Sequence, residues 1–419
     1  MEDSGEADVL NDLERLVVQC NHFADGLREC LRSGIADVPC SPLVFHSFLV
    51  ADGTPLHLAA LNGQYAVAPL LLQEHVDVDA RNSHQWTPLH LASLKGYHFL
   101  AVLLLQNDAD VNATTDDQTT PLHIASEDGH LKLAVVLLEH KANVEAKDYS
   151  QRTPLHWASS NGHRDLAALL LEHNANVNAT TDDQTTPLHL ASSNALLLEH
   201  NADVNATDDD QRTPLHLASL NSHRDLAALL LEHNADVNAT DDDQRTPLHW
   251  ASSKGHRDVA ALLLEHNADI NATTDDQTTP LHIVSEDGHL KLAVPLLEHK
   301  ANVEARDYFQ RTPLHWASLN GHLDVAALLL EHNADVNATT YTTFHQRTPL
   351  HLASLNSHRD LAALMLEHNA DVNATTYTTF HQKTPLHLAS SNGHRDFAVI
   401  TAVSPPTATR RLHQGACLP

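Results

Sequence analysis

The chain has few aromatic residues, cysteines and basic side chains, and each shortage excludes some classes of site or partner. Phe, Trp and Tyr make up 4% of its 419 residues, and the four cysteines are Cys20, Cys30, Cys40 and Cys417. Their spacing fits neither a CxxC pair nor a zinc knuckle, so we expect free thiols in a reducing compartment. The formal charge is −29, from 54 acidic residues against 25 Lys and Arg, and such a chain repels phosphate backbones. We therefore expect no nucleic-acid partner.

Long apolar runs are also missing. No window approaches 18 apolar residues, and the acidic start MEDSGEADVL has no hydrophobic signal core. We therefore expect neither export nor membrane insertion, and a cytoplasmic protein with the nucleus as the alternative compartment.

Catalytic signatures are absent too. The sequence contains no G-x-S-x-G, no P-loop, no H-E-x-x-H and no dinucleotide fingerprint. Its recurring Glu-His pairs end successive helices about 8–10 Å apart, too far for their imidazoles to share one zinc ion. We expect no enzyme, no cofactor and no metal site.

What the sequence has in abundance is one short pattern, TPLH. It occurs 11 times, mostly at intervals of 33 residues, with one interval of 27 and two of 36. Its threonines are Thr54, Thr87, Thr120, Thr153, Thr186, Thr213, Thr246, Thr279, Thr312, Thr348 and Thr384.

The unit TPLHWASSNGHRDLAALLLEHNANVNATTDDQT, which begins at Thr153, shows what each repeat encodes. Thr153 is a good N-cap, and Pro154 suits the first helical position, where a missing N–H costs nothing. Gly162 can end this helix in the left-handed conformation, and Asn174 can end a second helix, RDLAALLLEH, in the same way. In that second helix Leu166, Leu169 and Leu170 are predicted to share one stripe. Neither helix is stable alone, so each pair must stack on the next as an all-α solenoid.

These motifs resemble the ankyrin repeat: TPLHxA, then GH, then LLLEH, then ADVNA, over residues 54 to about 400. The resemblance implies helix-turn-helix pairs with β-hairpin finger loops, a concave binding face, and TPLH histidines that link neighbouring repeats by hydrogen bonds. Two departures recur, both at positions where the family has a left-handed glycine. Asn stands at the end of the second helix (Asn174, Asn201, Asn234, Asn267, Asn333, Asn369), and Gln stands in the finger (Gln118, Gln151, Gln211). Both replacements predict a less stable array.

The breaks in the pattern suggest six segments. We predict an N-terminal helical region at 1–53, repeats 1–4 at 54–185, a shortened repeat 5 at 186–212 and repeats 6–10 at 213–383. A partial C-terminal repeat or cap (384–403) and a disordered tail (404–419) follow. Repeat 5 lacks the stretch GHRDLA of repeat 4, which makes it the predicted weak joint. Residues 8–33 also carry a short heptad stripe, so a coiled coil is the alternative to a cap. A misread gene end would resemble the predicted tail.

Part of the array is a copy of another part. The units at Thr120 and Thr279, which are 159 residues apart, both continue with SEDGHLKLAV and LLEHKANVEA. A block of five repeats has been duplicated whole. The near identity between repeats therefore reflects recent duplication and not selection of each residue.

The finger loops divide into acidic and aromatic ones. Most tips read Asp-Asp, whereas others carry aromatic residues, and two are three residues longer, as in TTYTTFHQRTPLH at 339–351. Exposed aromatic side chains are not needed for folding and are enriched at binding hot spots. The candidate partner-binding residues are Tyr149, Tyr308, Phe309, Arg311, Tyr341, Phe344, His345, Arg347, Tyr377, Phe380 and His381. In the alternative, the longer loops fold back and their aromatic residues pack on each other.

The sequence therefore predicts a monomeric, non-catalytic scaffold that binds a protein partner, with the acidic fingers favouring a basic one. The alternative is an adaptor that recruits a protein to a larger complex, such as a ubiquitin ligase or signalling assembly, through residues 1–53. The sequence has no recognisable F-box or SOCS box, which counts against the two usual kinds of ubiquitin-ligase adaptor. The resemblance also implies asparaginyl hydroxylation in the LLLEHNADVNA pattern, at Asn238 and Asn337.

Overall fold

The computed structural model describes residues 53–191, 195–341, 346–376 and 382–394. The chain divides into two compact units, Met1–Asp209 and Asp210–Pro419. In each unit, repeats contribute a first helix that begins at the Pro of TPLH and a second helix that follows it. The first unit contains α1 Pro55–Leu61, α2 Ala68–Gln73, α3 Pro88–Leu94, α4 His98–Gln106, α5 Pro121–Glu127, α6 Leu131–Glu139, α7 Pro154–Ser160, α8 Arg164–Glu172, α9 Pro187–Leu190 and α10 Ala195–Glu199.

The second unit repeats this order. It contains α11 Pro214–Leu220, α12 Arg224–Glu232, α13 Pro247–Lys254, α14 Arg257–Glu265, α15 Pro280–Asp287, α16 Leu290–Glu298, α17 Pro313–Asn320, α18 Leu323–Glu331, α19 Pro349–Leu355, α20 Arg359–Glu367 and α21 Pro385–Ser391. Within each unit, consecutive first helices pack against each other, and so do consecutive second helices. The prediction of an all-α repeat solenoid is confirmed.

The first helices begin as the TPLH motif predicts. Thr153 is the extended N-cap of α7 and Pro154 its first residue. The backbone N–H of Thr153 donates to Nδ1 of His156 at 3.0 Å, so the imidazole satisfies a group that the helix leaves unpaired. Gly162 then has φ 70°, the left-handed conformation expected after this helix.

The second helices bury one face and end at a left-handed residue. In α8 the buried side chains are Leu166, Ala167, Leu170 and Leu171. Leu169, which was predicted to lie on the buried stripe, is only half-buried, because the face that meets the core is centred on the other three leucines. Asn174 follows with φ 63°, as predicted.

The finger loops close as tight hydrogen-bonded turns, and none of the described residues forms a β-strand. Asp148 N–H donates to the carbonyl of Arg152 at 3.0 Å, and Gln151 N–H donates back to the carbonyl of Asp148 at 2.9 Å. Gln151 has φ 59°. The recurring Asn and Gln residues therefore do occupy left-handed positions, where a side chain costs free energy that glycine avoids.

Repeat 5 has the shortest helices in the described part of the chain. Its first helix, α9, spans four residues and its second, α10, spans five. The equivalent helices of repeat 4, α7 and α8, span seven and nine. The predicted N-terminal cap or coiled coil before residue 53, the C-terminal cap beyond residue 394 and the tail lie outside the described residues.

Candidate protein-binding surface

Each finger loop is built on one side chain at its base. Oδ1 of the buried Asp148 accepts hydrogen bonds from the backbone N–H groups of Ser150 at 2.9 Å and Arg152 at 2.8 Å. In the next finger a threonine takes the place of the aspartate. Its side-chain oxygen, Oγ1 of Thr181, accepts a hydrogen bond from Thr185 N–H at 3.1 Å. The loop is therefore held from inside, and its tip side chains are left to face solvent.

Neighbouring fingers are tied to each other through their backbones. In the first unit the N–H of Tyr149 donates to the carbonyl of Asp117 at 2.9 Å, and Asp182 N–H donates to Ser150 at 3.3 Å. In the second unit Tyr308 N–H donates to the carbonyl of Asp276 at 2.8 Å. The tips thus form a row at fixed spacing within each unit, a preorganised surface for a partner.

The structure exposes most of the predicted aromatic residues that it describes. Tyr149 is 73% exposed, Tyr308 65%, Phe309 45% and Tyr341 70%. The rings of Tyr308 and Phe309 meet edge to face, with centroids 5.3 Å apart. Phe344, His345, Tyr377, Phe380 and His381 lie outside the described residues.

Of the two predicted arginines, Arg311 has internal side-chain partners, whereas Arg347 is bonded through its backbone and its buried Nε has no hydrogen-bond partner among the described residues. Arg311 donates from Nε to Oδ2 of Asp307 at 2.7 Å and lies over the rings of Trp316 and Phe309, at 3.8 and 4.7 Å from their centroids. Arg347 is half-buried, and burial lowers the pKa of its guanidinium. Its backbone carbonyl accepts from Thr340 N–H at 2.9 Å and from His315 Nε2–H at 3.1 Å.

Sequence reasoning missed a three-residue cluster at the base of three fingers, which we call the Asp–Arg–Trp cluster. In repeat 9 the indole Nε1–H of Trp316 donates to Oδ2 of Asp307 at 3.1 Å, beneath Arg311. Repeats 4 and 7 have the same indole-to-carboxylate bond, at 3.1 and 3.0 Å, with an arginine 5.0 and 4.3 Å from the ring centroid. Their members are Asp148, Arg152 and Trp157, and Asp241, Arg245 and Trp250. The signal was present in the sequence as D-x-x-Q-R-T-P-L-H-W.

The TPLH histidines link each repeat to the next. Nε2 of His156 contacts the carbonyl of Thr185 at 3.1 Å, and Nε2 of His282 contacts the carbonyl of Arg311 at 3.0 Å. A carbonyl only accepts, so Nε2 carries the proton and Nδ1 accepts from the threonine of the same motif. Burial lowers the pKa of eight of these imidazoles. The pKa falls to about 4 for His90, His156, His249 and His315, and it is lowered for His57, His123, His282 and His351. They are neutral structural donors.

A second set of histidines, those of the GH pairs, binds to the preceding repeat instead of the following one. Nε2 of His163 contacts the carbonyl of Glu127 in the preceding repeat at 2.9 Å, and Nε2 of His322 contacts that of Glu286 at 2.8 Å. These carbonyls lie in the last turn of a first helix, so the histidines satisfy groups that the helix leaves unpaired. Among the described residues, no group of three or more His, Cys, Asp or Glu side chains could hold a metal ion.

A family model described as ankyrin repeats (3 copies) matches the chain at residues 39–115, 99–181, 148–208, 188–274, 270–340 and 341–400. The chain belongs to the ankyrin repeat family. Among curated proteins, none matches it. Ankyrin repeats are generally protein–protein interaction modules and are typically not catalytic. In the described part of this ankyrin array, no helix is long and apolar enough to cross a membrane.

The two asparagines proposed for hydroxylation belong to another set of links between ankyrin repeats. Oδ1 of Asn238 accepts from Asp269 N–H at 2.7 Å, and Oδ1 of Asn337 accepts from Asp371 N–H at 2.8 Å. Both residues are exposed, but their side-chain oxygens are engaged.

Proposed function

We propose that this protein is a non-catalytic scaffold that binds a protein partner through the finger loops and concave face of its ankyrin array. The observation that carries the proposal is the exposure of Tyr149, Tyr308 and Phe309 on tips whose backbones are hydrogen-bonded to the neighbouring fingers. An exposed ring on a fixed backbone loses little conformational entropy when it is covered, and Tyr is enriched at binding hot spots.

The charge of the fingers points to a basic partner. Asp116, Asp117, Asp275 and Asp276 are exposed in the fingers that precede the aromatic ones. Carboxylates at this spacing would speed the approach of a cationic surface and repel an acidic one. We also infer that the protein acts as a monomer in the cytoplasm. The adaptor alternative depends on residues 1–53, and no described contact favours it.

The test is affinity purification with mass spectrometry, using the full chain. In the finger variant, Tyr149, Tyr308, Phe309 and Tyr341 are all changed to Ser. The matched control changes exposed apolar side chains of the second helices, Phe99, Leu131 and Leu323, to Ser. We expect partners to be lost in the finger variant alone, with unchanged helical content by circular dichroism. An unchanged partner set both in this finger variant and in the second variant described below would contradict the proposal.

A second variant tests the longer fingers. It changes Tyr341, Phe344, Tyr377 and Phe380 to Ser. If only this variant loses partners, the binding surface lies in the C-terminal fingers. If only the first does, binding depends on Tyr149, Tyr308 or Phe309.

A further inference from the structure

The block duplication produced two copies of one aromatic finger. One copy lies in each compact unit, and the two copies make the same contacts. Tyr149 and Trp157 in the first unit correspond to Tyr308 and Trp316 in the second, 159 residues later. Each tyrosine N–H donates to the preceding finger, at 2.9 and 2.8 Å, and each indole donates to its buried aspartate at 3.1 Å. The copies therefore agree in local geometry as well as in sequence.

Each copy combines an exposed aromatic ring at the finger tip with a half-buried indole at the base of the same finger. We name Tyr149, Arg152 and Trp157 the first cluster, and Tyr308, Phe309, Arg311 and Trp316 the second cluster. The indoles of Trp157 and Trp316 are half-buried, and in each cluster the arginine lies over the indole ring. Aromatic faces attract Lys and Arg side chains through the ring quadrupole.

Acidic side chains outnumber basic ones on the exposed surface beside both clusters, where Lys147 and Arg306 are the exposed cations. Asp116 and Asp117 precede Tyr149, and Asp275 and Asp276 precede Tyr308, all of them exposed. The arginine of the second cluster is neutralised by Asp307 at 2.7 Å. A cationic side chain laid on the rings would meet these carboxylates next to it, whereas an acidic segment would be repelled.

We propose that each cluster holds one Lys- or Arg-bearing segment of a protein partner, so that one chain binds two copies of the same segment, one in each unit. The inference rests on the proposed function and specifies its stoichiometry.

The two clusters differ at one tip position, which predicts a difference in affinity. Phe309 in the second cluster corresponds to Ser150 in the first. The second cluster therefore has one more ring, and its arginine lies 3.8 Å from the indole centroid, against 5.0 Å in the first. We expect the second cluster to bind the segment about two- to fivefold more tightly, the effect of one exposed cation–π contact.

Repeat 7 provides an internal control. It has the Asp–Arg–Trp cluster, with Arg245 at 4.3 Å from the ring centroid of Trp250, but its tip residues are Asp242 and Asp243. If the aromatic tip defines the site, this repeat binds nothing. If the cluster at the base of the finger is sufficient, the chain has three sites.

The experiment is isothermal titration calorimetry of the full chain with a synthetic peptide of four Arg-Leu-Lys triplets, and with its counterpart in which Glu replaces every basic residue. We expect two equivalents of the basic peptide and no binding of the acidic one. The variant Y149S/W157L removes the weaker site, and Y308S/F309S/W316L removes the tighter site. Leu is chosen because Leu217 already stands at this position in repeat 6.

Two milder variants avoid the cost of altering the buried contacts. S150F should strengthen the first site about two- to fivefold, and F309S should weaken the second by the same factor, because both positions are exposed. The variant D242Y/D243F should raise the stoichiometry from two to three. Circular dichroism verifies the fold of every variant.

Several results would overturn the inference. They are a single equivalent or three equivalents for the wild type, no binding of the basic peptide, equal binding of the acidic one, and binding that survives loss of both clusters. If partners still depend on the finger aromatics in affinity purification, the proposed function stands without this stoichiometry. If they do not, the proposed function fails as well.

Discussion

The imidazole of His163 lies against Gly129 of the preceding repeat so closely that a β-carbon on that glycine would fall 2.5 Å from Nδ1. The ring is fixed there because its Nε2 meets the carbonyl of Glu127 at 2.9 Å. A glycine at this position thus serves two needs: its own left-handed φ of 72° and room for the next repeat's histidine.

These two needs can be separated by a matched pair of substitutions. Gly162 has nearly the same φ, 70°, but no described atom lies within 4 Å of its β-carbon position. We expect Gly162→Ala to cost about 1 kcal/mol of unfolding free energy through backbone strain alone. Gly129→Ala should cost about 1–3 kcal/mol more, since it also displaces His163 from its hydrogen bond. Urea unfolding followed by circular dichroism measures both, and equal losses would refute the contact.

Acid should unfold the array through the TPLH histidines. Burial lowers the folded-state pKa of His156 and His249 to about 4, below the ordinary imidazole value of 6.5 that applies to the unfolded chain. The unfolded state therefore binds protons more readily, and stability that is full above pH 6.5 is lost as pH falls from 6.5 towards 4. Each such histidine contributes about 1 kcal/mol per pH unit in that window. Urea midpoints at pH 7.5, 6.0 and 5.0 measure the slope.

A His156→Gln variant is the control for that slope. Gln can keep a donor towards Thr185 and an acceptor towards Thr153, but it does not titrate. We expect a lower free energy of unfolding at pH 7.5. We also expect this free energy to fall less steeply with pH, by the contribution of one proton taken up on unfolding. An unchanged slope would place the acid sensitivity elsewhere.

Replacing a finger Gln by Gly should stabilise the protein. Gln244 is exposed and has φ 59°, a conformation that costs a residue with a β-carbon about 1 kcal/mol more than glycine. Part of this gain is offset by the greater entropy of glycine in the unfolded chain, so Gln244→Gly should add about 0.5 kcal/mol. Gln106→Gly, at the helical end of α4, should instead destabilise by about 0.5–1 kcal/mol. Thermal unfolding of the two variants should therefore shift in opposite directions.

Repeat 5 should open more often than its neighbour. Its helices α9 and α10 span four and five residues, so they bury less apolar surface than α7 and α8. Native-state hydrogen exchange with mass spectrometry should show the lowest protection of the first unit's interior repeats in residues 187–199. Protection equal to that of residues 154–172 would contradict the weak joint predicted from the sequence.

Hydroxylation of Asn238 and Asn337 should depend on local opening. Each side chain accepts a backbone N–H from the next repeat, so the folded array protects it. We expect the chain from cells that contain the asparaginyl hydroxylase to gain one oxygen atom per modified residue. The yield at Asn238 should be higher in a Gly255→Ala variant, because a β-carbon on Gly255 would fall 2.8 Å from Nδ1 of His289 and destabilise the next repeat. Intact-mass analysis and peptide mapping measure the yield. A chain with no added oxygen would rule out the modification.

How far the sequence predicted the molecule depends on the range of each interaction. The N-cap at Thr153 and the left-handed Gly162 and Asn174 follow from local motifs, and the links made by the TPLH histidines follow from the resemblance to the ankyrin repeat. The role of Arg311 was missed although Asp307 and Trp316 lie in the same motif, D-x-x-Q-R-T-P-L-H-W, because the motif alone does not show that the finger folds Arg311 over the indole. The buried face of α8 was likewise misplaced at Leu169, since neighbouring helices decide which leucines are covered.

The opposed directions of the two histidine sets have a consequence for synthesis on the ribosome. A GH histidine donates to a carbonyl already made, 36 residues earlier for His163, whereas His156 donates to Thr185, 29 residues later. At translation rates of about 5–20 residues per second, the imidazole of His156 waits roughly 1.5–6 s for its acceptor. The newest repeat can thus dock on the chain behind it at once, but its own buried donor is satisfied only when the following repeat emerges.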